Sequence, residues 1–201
     1  MADDQVVTVR TPIAVADLNA VLRAEWRRQL GTEPSRASLL CLLAQWSLET
    51  GGGAASNNFN LAGIKYGVGC GFDYAQYPTR EVIGGKSLVL SPPNPACRFR
   101  AYESLEQAAG DYLSLLRNRF GYAWPAVEAG DTQDFAHRLK LRGYYTADEH
   151  DYAAGLAARY AQLDKELGPD TQPSLPEPIA NLHPLFVAPD PEPDDEPPAT
   201  A

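Results

Sequence analysis

Glu49 ends a strongly apolar run from Leu39 to Leu48 and stands just before Gly51-Gly52-Gly53. At helical spacing it lies seven positions after Leu42 and three after Trp46, so its side chain is expected to leave the helix from the apolar stripe. Burial there would penalise the charged form, and the negative end of the helix dipole would add to the penalty. Both effects raise a carboxyl pKa, as a general acid working near neutral pH requires. The competing reading, common for an arbitrary glutamate, is a side chain that merely reaches solvent at a helix end. The residues that follow argue for chemistry. Glycines at 51, 52 and 53 let backbone approach a bulky ligand, and Ser56-Asn57-Asn58-Phe59-Asn60 then places amides beside an aromatic ring. Amides and aromatic faces suit sugars, so Asn58, Phe59 and Asn60 are candidate substrate contacts, although Asn runs also serve turns.

Five helices are expected to position these groups. Thr11-Pro12 reads as an N-cap and first helical position, opening a helix over about Ile13 to Leu30. A second runs from Pro34-Ser35 to the glycines, and Ser104 with Gln107 forms a capping-box pattern ahead of a third. Two more are expected from about Asp131 to Leu141 and from about Asp148 to Leu167. Residues 66–100 lack the helical period, and Glu81-Val82-Ile83 and Ser87-Leu88-Val89-Leu90 around Gly84-Gly85 read as a β-hairpin. The expected organisation is an N-terminal extension (1–12), one globular domain (13–168) and a tail (169–201). That tail holds ten of the 17 prolines and seven acidic residues with no Lys or Arg, a composition expected to be disordered.

The formal net charge is -9, which argues against nucleic acid, whose binding needs clustered cations. No apolar run is long enough for a membrane span, and the acidic start does not read as a Sec signal. Cys41, Cys70 and Cys97 match no zinc spacing, so neither metal nor cofactor is expected. Cys70 and Cys97 bracket the hairpin region, where a disulfide would close a loop worth about 3 kcal/mol in an oxidising compartment.

The motifs carry a resemblance. Leu48-Glu49-Thr50-Gly51-Gly52 followed by Asn58-Phe59-Asn60-Leu61-Ala62-Gly63-Ile64-Lys65 resembles the glucosaminidase family, glycoside hydrolase family 73. Phe99-Arg100-Ala101-Tyr102-Glu103-Ser104 and Leu141-Arg142-Gly143-Tyr144-Tyr145-Thr146 resemble two further family segments in the family's order. This chain departs in having Ala62 where the family has Phe, a shorter interval between Glu49 and Asn58, and Ala147 with Glu149 in place of the usual spacing and proline. The resemblance implies a lysozyme-like, mainly α (α+β) fold, with a helical lobe, a small β-hairpin lobe and a glycan cleft between them. It implies Glu49 as the general acid and Lys65 and Tyr145 as substrate contacts. Tyr144 would either act at the site, positioning substrate near the acid or supporting the oxocarbenium-like centre, or fill the core. Thr79-Arg80-Glu81 resembles the family's Thr-x-Glu, which makes Glu81 the first choice for the second carboxylate and Asp73 the reserve.

The implied activity is hydrolysis of the β-1,4 backbone of peptidoglycan between GlcNAc and MurNAc. A muramidase, a lytic transglycosylase and a non-catalytic glycan-binding module remain alternatives. Synthesis in the cytoplasm without a Sec signal, together with the acidic tail, leads us to expect delivery to the periplasm or cell wall as an antibacterial effector or lysin. An immunity protein or the delivery machinery would then be its partner.

Overall fold

The computed structural model describes residues 4–83 and 86–169, with the backbone alone for 81–83 and 86–87. Six helices carry the fold: α1 (Val15–Leu30), α2 (Arg36–Thr50), α3 (Leu105–Asn118), α4 (Trp124–Ala129), α5 (Thr132–Leu141) and α6 (Glu149–Leu167). Between α2 and α3 lie β1 (Asp73–Gln76), β2 (Thr79–Ile83), β3 (Lys86–Leu90) and β4 (Arg98–Ala101). This is the mainly helical, lysozyme-like α+β architecture expected from the motifs.

Helix α2 is the axis of the core. Ser35 caps it by accepting from Ser38 N, and Gly51 ends it in the left-handed conformation that glycine adopts freely. It has no wet face: Leu39, Cys41, Leu42, Leu43, Ala44 and Trp46 are all buried, because α1, α4 and α6 pack around it. Such enclosure needs close approaches. A Cβ on Gly155 of α6 would come within 3.1 Å of Leu48, and one on Gly53 would sit 2.4 Å from the Ile13 carbonyl and 2.5 Å from the Trp46 ring. Glycine alone fits at the latter position, where φ is also +84°.

The expected hairpin is present as β2–β3, with Glu81 paired to Leu88 and Val82 to Ser87. A second antiparallel pair, β1–β4, joins Asp73 to Ala101 and Gln76 to Arg98 and was not legible in the sequence. The helix starts are capped much as expected. Ser104 accepts from Gln107 N while Gln107 Oε1 accepts from Glu103 N, and Asp131 and Asp148 cap α5 and α6. Helix α1 differs: it starts at Val15 with no side-chain cap. Thr11 instead accepts a hydrogen bond from Phe59 N at 2.8 Å, so it serves the loop after α2.

The segment before α1 is bonded into the same region. Val6 N donates to Tyr74 O, Tyr74 N to Asp4 O, and Asn58 N to Val9 O. The cysteines are free. The bond expected between Cys70 and Cys97 is not formed: Cys97 is fully buried at the end of a 3₁₀ turn, while the Cys70 thiol turns to the carbonyl of Phe72. Among the described residues, no helix is long and apolar enough to cross a membrane. Residues 170–201, on which the expectation of a disordered tail falls, lie outside the described residues.

Candidate active site

A cleft of about 480 Å³ opens beside the C-terminal end of α2. One part of its wall is the loop from Ala62 to Lys65 together with Thr79, Phe99 and Arg100 of the β strands. The rest comes from Leu115, Arg119 and Phe120 at the end of α3 and from Gly143 to Thr146 after α5. Glu49 reaches into it.

The Glu49 side chain is exposed to this cleft and not directed into the core, which corrects the helical-wheel expectation. Because α2 is enclosed along most of its length, its last turn is where a carboxylate escapes burial. Glu49 is nonetheless crowded on its protein side, and desolvation raises its pKa above the ordinary carboxylate range. A hydrogen bond from the Tyr152 hydroxyl to Glu49 Oε1, at 3.0 Å, works in the opposite direction and is the smaller effect. The glycines after Glu49 are shaped by Thr50, whose hydroxyl donates to Trp46 O at 2.6 Å and accepts from Gly53 N at 2.9 Å. A hydroxyl at this position thus closes the turn that leaves the acid at the cleft.

Tyr144 and Tyr145 both line the cleft, as does Lys65. The Tyr144 ring packs edge-on against Phe120 at 5.0 Å, and its hydroxyl is buried with no hydrogen-bond partner among the described residues. Tyr145 stacks on Tyr152 at 3.8 Å and donates to the Ala136 carbonyl. Lys65 donates to Ala96 O at 2.7 Å and lies 4.0 Å above the Phe99 ring, which is stacked in turn on Tyr77.

The asparagines are placed differently from expectation. Asn60 is buried, and its carboxamide is committed to the fold: it donates to the carbonyls of Ile64 and Arg100 and accepts from Ile64 N. Asn58, in a left-handed conformation with φ +47°, donates to Val7 O and accepts from Val9 N. Phe59, also left-handed, packs against the core and does not line the cleft. Asn60 therefore braces the cleft wall from behind, and Asn58 ties its turn to the segment before α1.

Asp73 is not a cleft residue either: its carboxylate accepts from Asp4 N at 3.0 Å. Glu81 lies in β2, one pleat period beyond Thr79, which does line the cleft, and its side chain lies outside the described residues.

Sequence reasoning missed Tyr152, Arg119 and the structural use of Arg100. Tyr152 looks like core filling, because Leu156 and Leu163 follow it at helical spacing. Arg100 Nη1 donates to both carboxylate oxygens of Asp111, at 2.7 and 2.8 Å, and Tyr102 donates to the same carboxylate at 2.6 Å. That cluster fastens β4 to α3 and so holds two parts of the cleft wall together. Glu49 is the one acid among the described lining residues, against Lys65, Arg100 and Arg119. Away from the cleft, Asp148, His150 and Asp151 bring ligand atoms within 4.8 Å of one another, but all three are exposed and Asp148 is occupied in capping α6.

Comparison with known proteins finds the same architecture. Residues 31–165 match the Glucosaminidase family model, described as mannosyl-glycoprotein endo-beta-N-acetylglucosaminidase. The chain is 30% identical over 141 residues to "Peptidoglycan hydrolase FlgJ" of Pseudomonas aeruginosa, covering 67% of this chain and 34% of that protein. The protein of the same name from Vibrio cholerae is 29% identical, with 69% and 40% covered. The chain thus spans little more than a third of the length of these relatives. A crystal structure of a peptidoglycan hydrolase mutant from Sphingomonas sp. A1 superposes with a TM-score of 0.56 at 29% identity, covering 74% of this chain and 97% of that one.

Proposed function

Because the chain belongs to the glucosaminidase family of glycoside hydrolases, we propose that it hydrolyses the β-1,4 glycan backbone of peptidoglycan, with Glu49 as the general acid. The observation that carries this reading is the placement of Glu49: a carboxyl exposed to a cleft, at a helix C-terminus, with its pKa raised by desolvation on its protein side. Protonated Glu49 gives its proton to the glycosidic oxygen as the bond to the anomeric carbon breaks, so the leaving sugar departs as an alcohol instead of an alkoxide. Tyr144 lines the same cleft, and its buried hydroxyl lies near Glu49 as part of the polar surroundings of the acid. Glu81 is the second carboxylate in this reading, because β2 already contributes Thr79 to the cleft.

The substrate reading is supported by the names of the relatives and by the charge of the cleft. With Arg100 held by Asp111, the remaining lining cations, Lys65 and Arg119, fit the carboxylates of a peptide-substituted glycan, in a chain whose net charge is -9. The bond cut is the one that leaves GlcNAc at the new reducing end. Digesting purified sacculi, reducing the products with borohydride and identifying the ends by mass spectrometry tests this. Reduced GlcNAc supports it, reduced MurNAc makes the protein a muramidase, and anhydro-MurNAc makes it a lytic transglycosylase.

Action on the cell wall of a competitor, as an effector or lysin delivered to the periplasm or wall and restrained by an immunity protein, is the setting we favour. It rests on the acidic, proline-rich composition of residues 169–201. Deleting that segment should impair delivery and leave hydrolysis of sacculi intact, and loss of hydrolysis would contradict it.

A further inference from the structure

We infer that Tyr152 is the positioning residue of Glu49: it fixes the carboxyl and decides which of the two oxygens carries the transferable proton. This inference deepens the glycosidase reading and rests on it for its role in turnover.

The argument starts from the direction of the hydrogen bonds behind the acid. The Tyr112 hydroxyl, fully buried on α3, donates to Gln45 Oε1 at 2.5 Å. That leaves Gln45 with only its amide hydrogens to offer, and its buried Nε2 makes no hydrogen bond among the described residues. A phenol has one hydrogen. Tyr152 gives it to Glu49, and the bond runs to Oε1 at 3.0 Å. Because Oε1 is already accepting, the proton of neutral Glu49 belongs on Oε2.

The tyrosine is itself held. Its ring stacks on Tyr145 at 3.8 Å with an interplanar angle of 14°, and Tyr145 is anchored by its own hydroxyl to Ala136 O at 3.0 Å. Close packing at Gly155, one turn along α6, keeps this stretch of helix against Leu48, the neighbour of Glu49. The carboxyl is therefore gripped from a rigid helix and not from a loop, which favours a single productive orientation.

During turnover the Oε2–H bond breaks, its proton joins the glycosidic oxygen, and the electron pair of the glycosidic bond leaves with that oxygen. Glu49 becomes a carboxylate in the same step. The bond from Tyr152 then has a charged acceptor and is strongest in the transition state and after it, when Glu49 carries developing charge. The other groups facing Glu49 are the hydroxyls of Tyr144 and, more distantly, Tyr112, with Lys65, Arg100 and Arg119 in the shared cleft.

The test is Tyr152→Phe in the full chain, with two readouts. Carbon-13 NMR of the labelled Glu49 carboxyl reports its titration without substrate, and hydrolysis of sacculi across pH reports turnover. Loss of the donor should move both the NMR midpoint and the alkaline limb of activity to higher pH, and should lower the plateau rate about tenfold. A rate loss with an unmoved midpoint would reduce Tyr152 to core packing and overturn the proposal, as would no change in either. If the Phe variant does not fold, 3-fluorotyrosine at 152 decides: its shape is nearly the same and its phenol is a stronger donor, so the midpoint should fall, and an unmoved midpoint again overturns the proposal. A wild-type protein that titrates normally by NMR but leaves sacculi intact would instead refute the glycosidase reading.

Discussion

The side-chain amide of Asn60 lies 2.9 Å from the main-chain carbonyl of Arg100, forty residues away, and so ties the loop that follows the acid to the strand that forms the far side of the same wall. Arg100 N returns a bond to the Ile64 carbonyl, which Asn60 also contacts, so a single buried carboxamide organises the junction. Asn60→Ala should strand several buried backbone groups and cost about 2–4 kcal/mol. Urea unfolding monitored by tryptophan fluorescence measures this, and a loss below about 1 kcal/mol would show that the loop finds other partners.

Glu49→Gln keeps the shape and removes the transferable proton, so turnover on sacculi should fall about a hundredfold to ten-thousandfold. The pH dependence of stability provides a second readout. A carboxyl whose folded pKa lies above its unfolded value favours the folded state only when both states are protonated, and it opposes folding as pH rises from the unfolded pKa through the folded one. The Gln variant should therefore match the wild type in acid and gain on it as pH rises through that window. A gap that widens toward low pH would mean that the pKa is depressed.

Gly53→Ala should be severely destabilising, because the added methyl would lie 2.4 Å from the Ile13 carbonyl and 2.5 Å from Trp46 at a φ of +84°. Gly52→Ala, with a similar φ of +71° but no contact nearer than 4.0 Å, isolates the backbone contribution of about 1 kcal/mol. The difference between their melting temperatures measures the clash, and equal losses would contradict the packing described.

Arg119 makes no ion pair among the described residues, and its guanidinium lies 5.5 Å from the centre of the Phe120 ring. Arg119→Ala should lower kcat/KM on peptide-bearing sacculi about threefold more than on glycan stripped of its peptides, a size fitting an exposed charge. Equal losses on both substrates would remove the peptide carboxylates from its role.

The thiols should differ sharply in reactivity. Burial pushes Cys41 up to about 12 and leaves it without solvent access, and Cys97 is equally enclosed, whereas Cys70 is only half-buried. Alkylation of the native protein followed by mass mapping should label Cys70 first, and Cys41 and Cys97 only on unfolding.

The local grammar of this chain was legible in its residues. Ser35, Ser104, Asp131 and Asp148 announce helix starts through side chains that satisfy nearby amides, and the glycines after Glu49 announce the end of α2, because these are interactions within a few residues. The same local logic placed a carboxyl at the end of an apolar helix and a hairpin in the middle of the chain. It failed where partners come from far away. Thr11 looked like a cap and instead bonds Phe59, Asn58 and Asn60 looked like sugar ligands and instead bond Val7, Val9, Ile64 and Arg100, and β1 found its partner in β4. An amide or hydroxyl has the same chemistry in either use, so only the tertiary structure decides whether its partner is backbone or ligand. Glu49 shows both sides of this division: its type and position were set by the sequence, while its exposure to the cleft and the Tyr152 hydroxyl behind it depend on how α6, more than a hundred residues on, packs against α2.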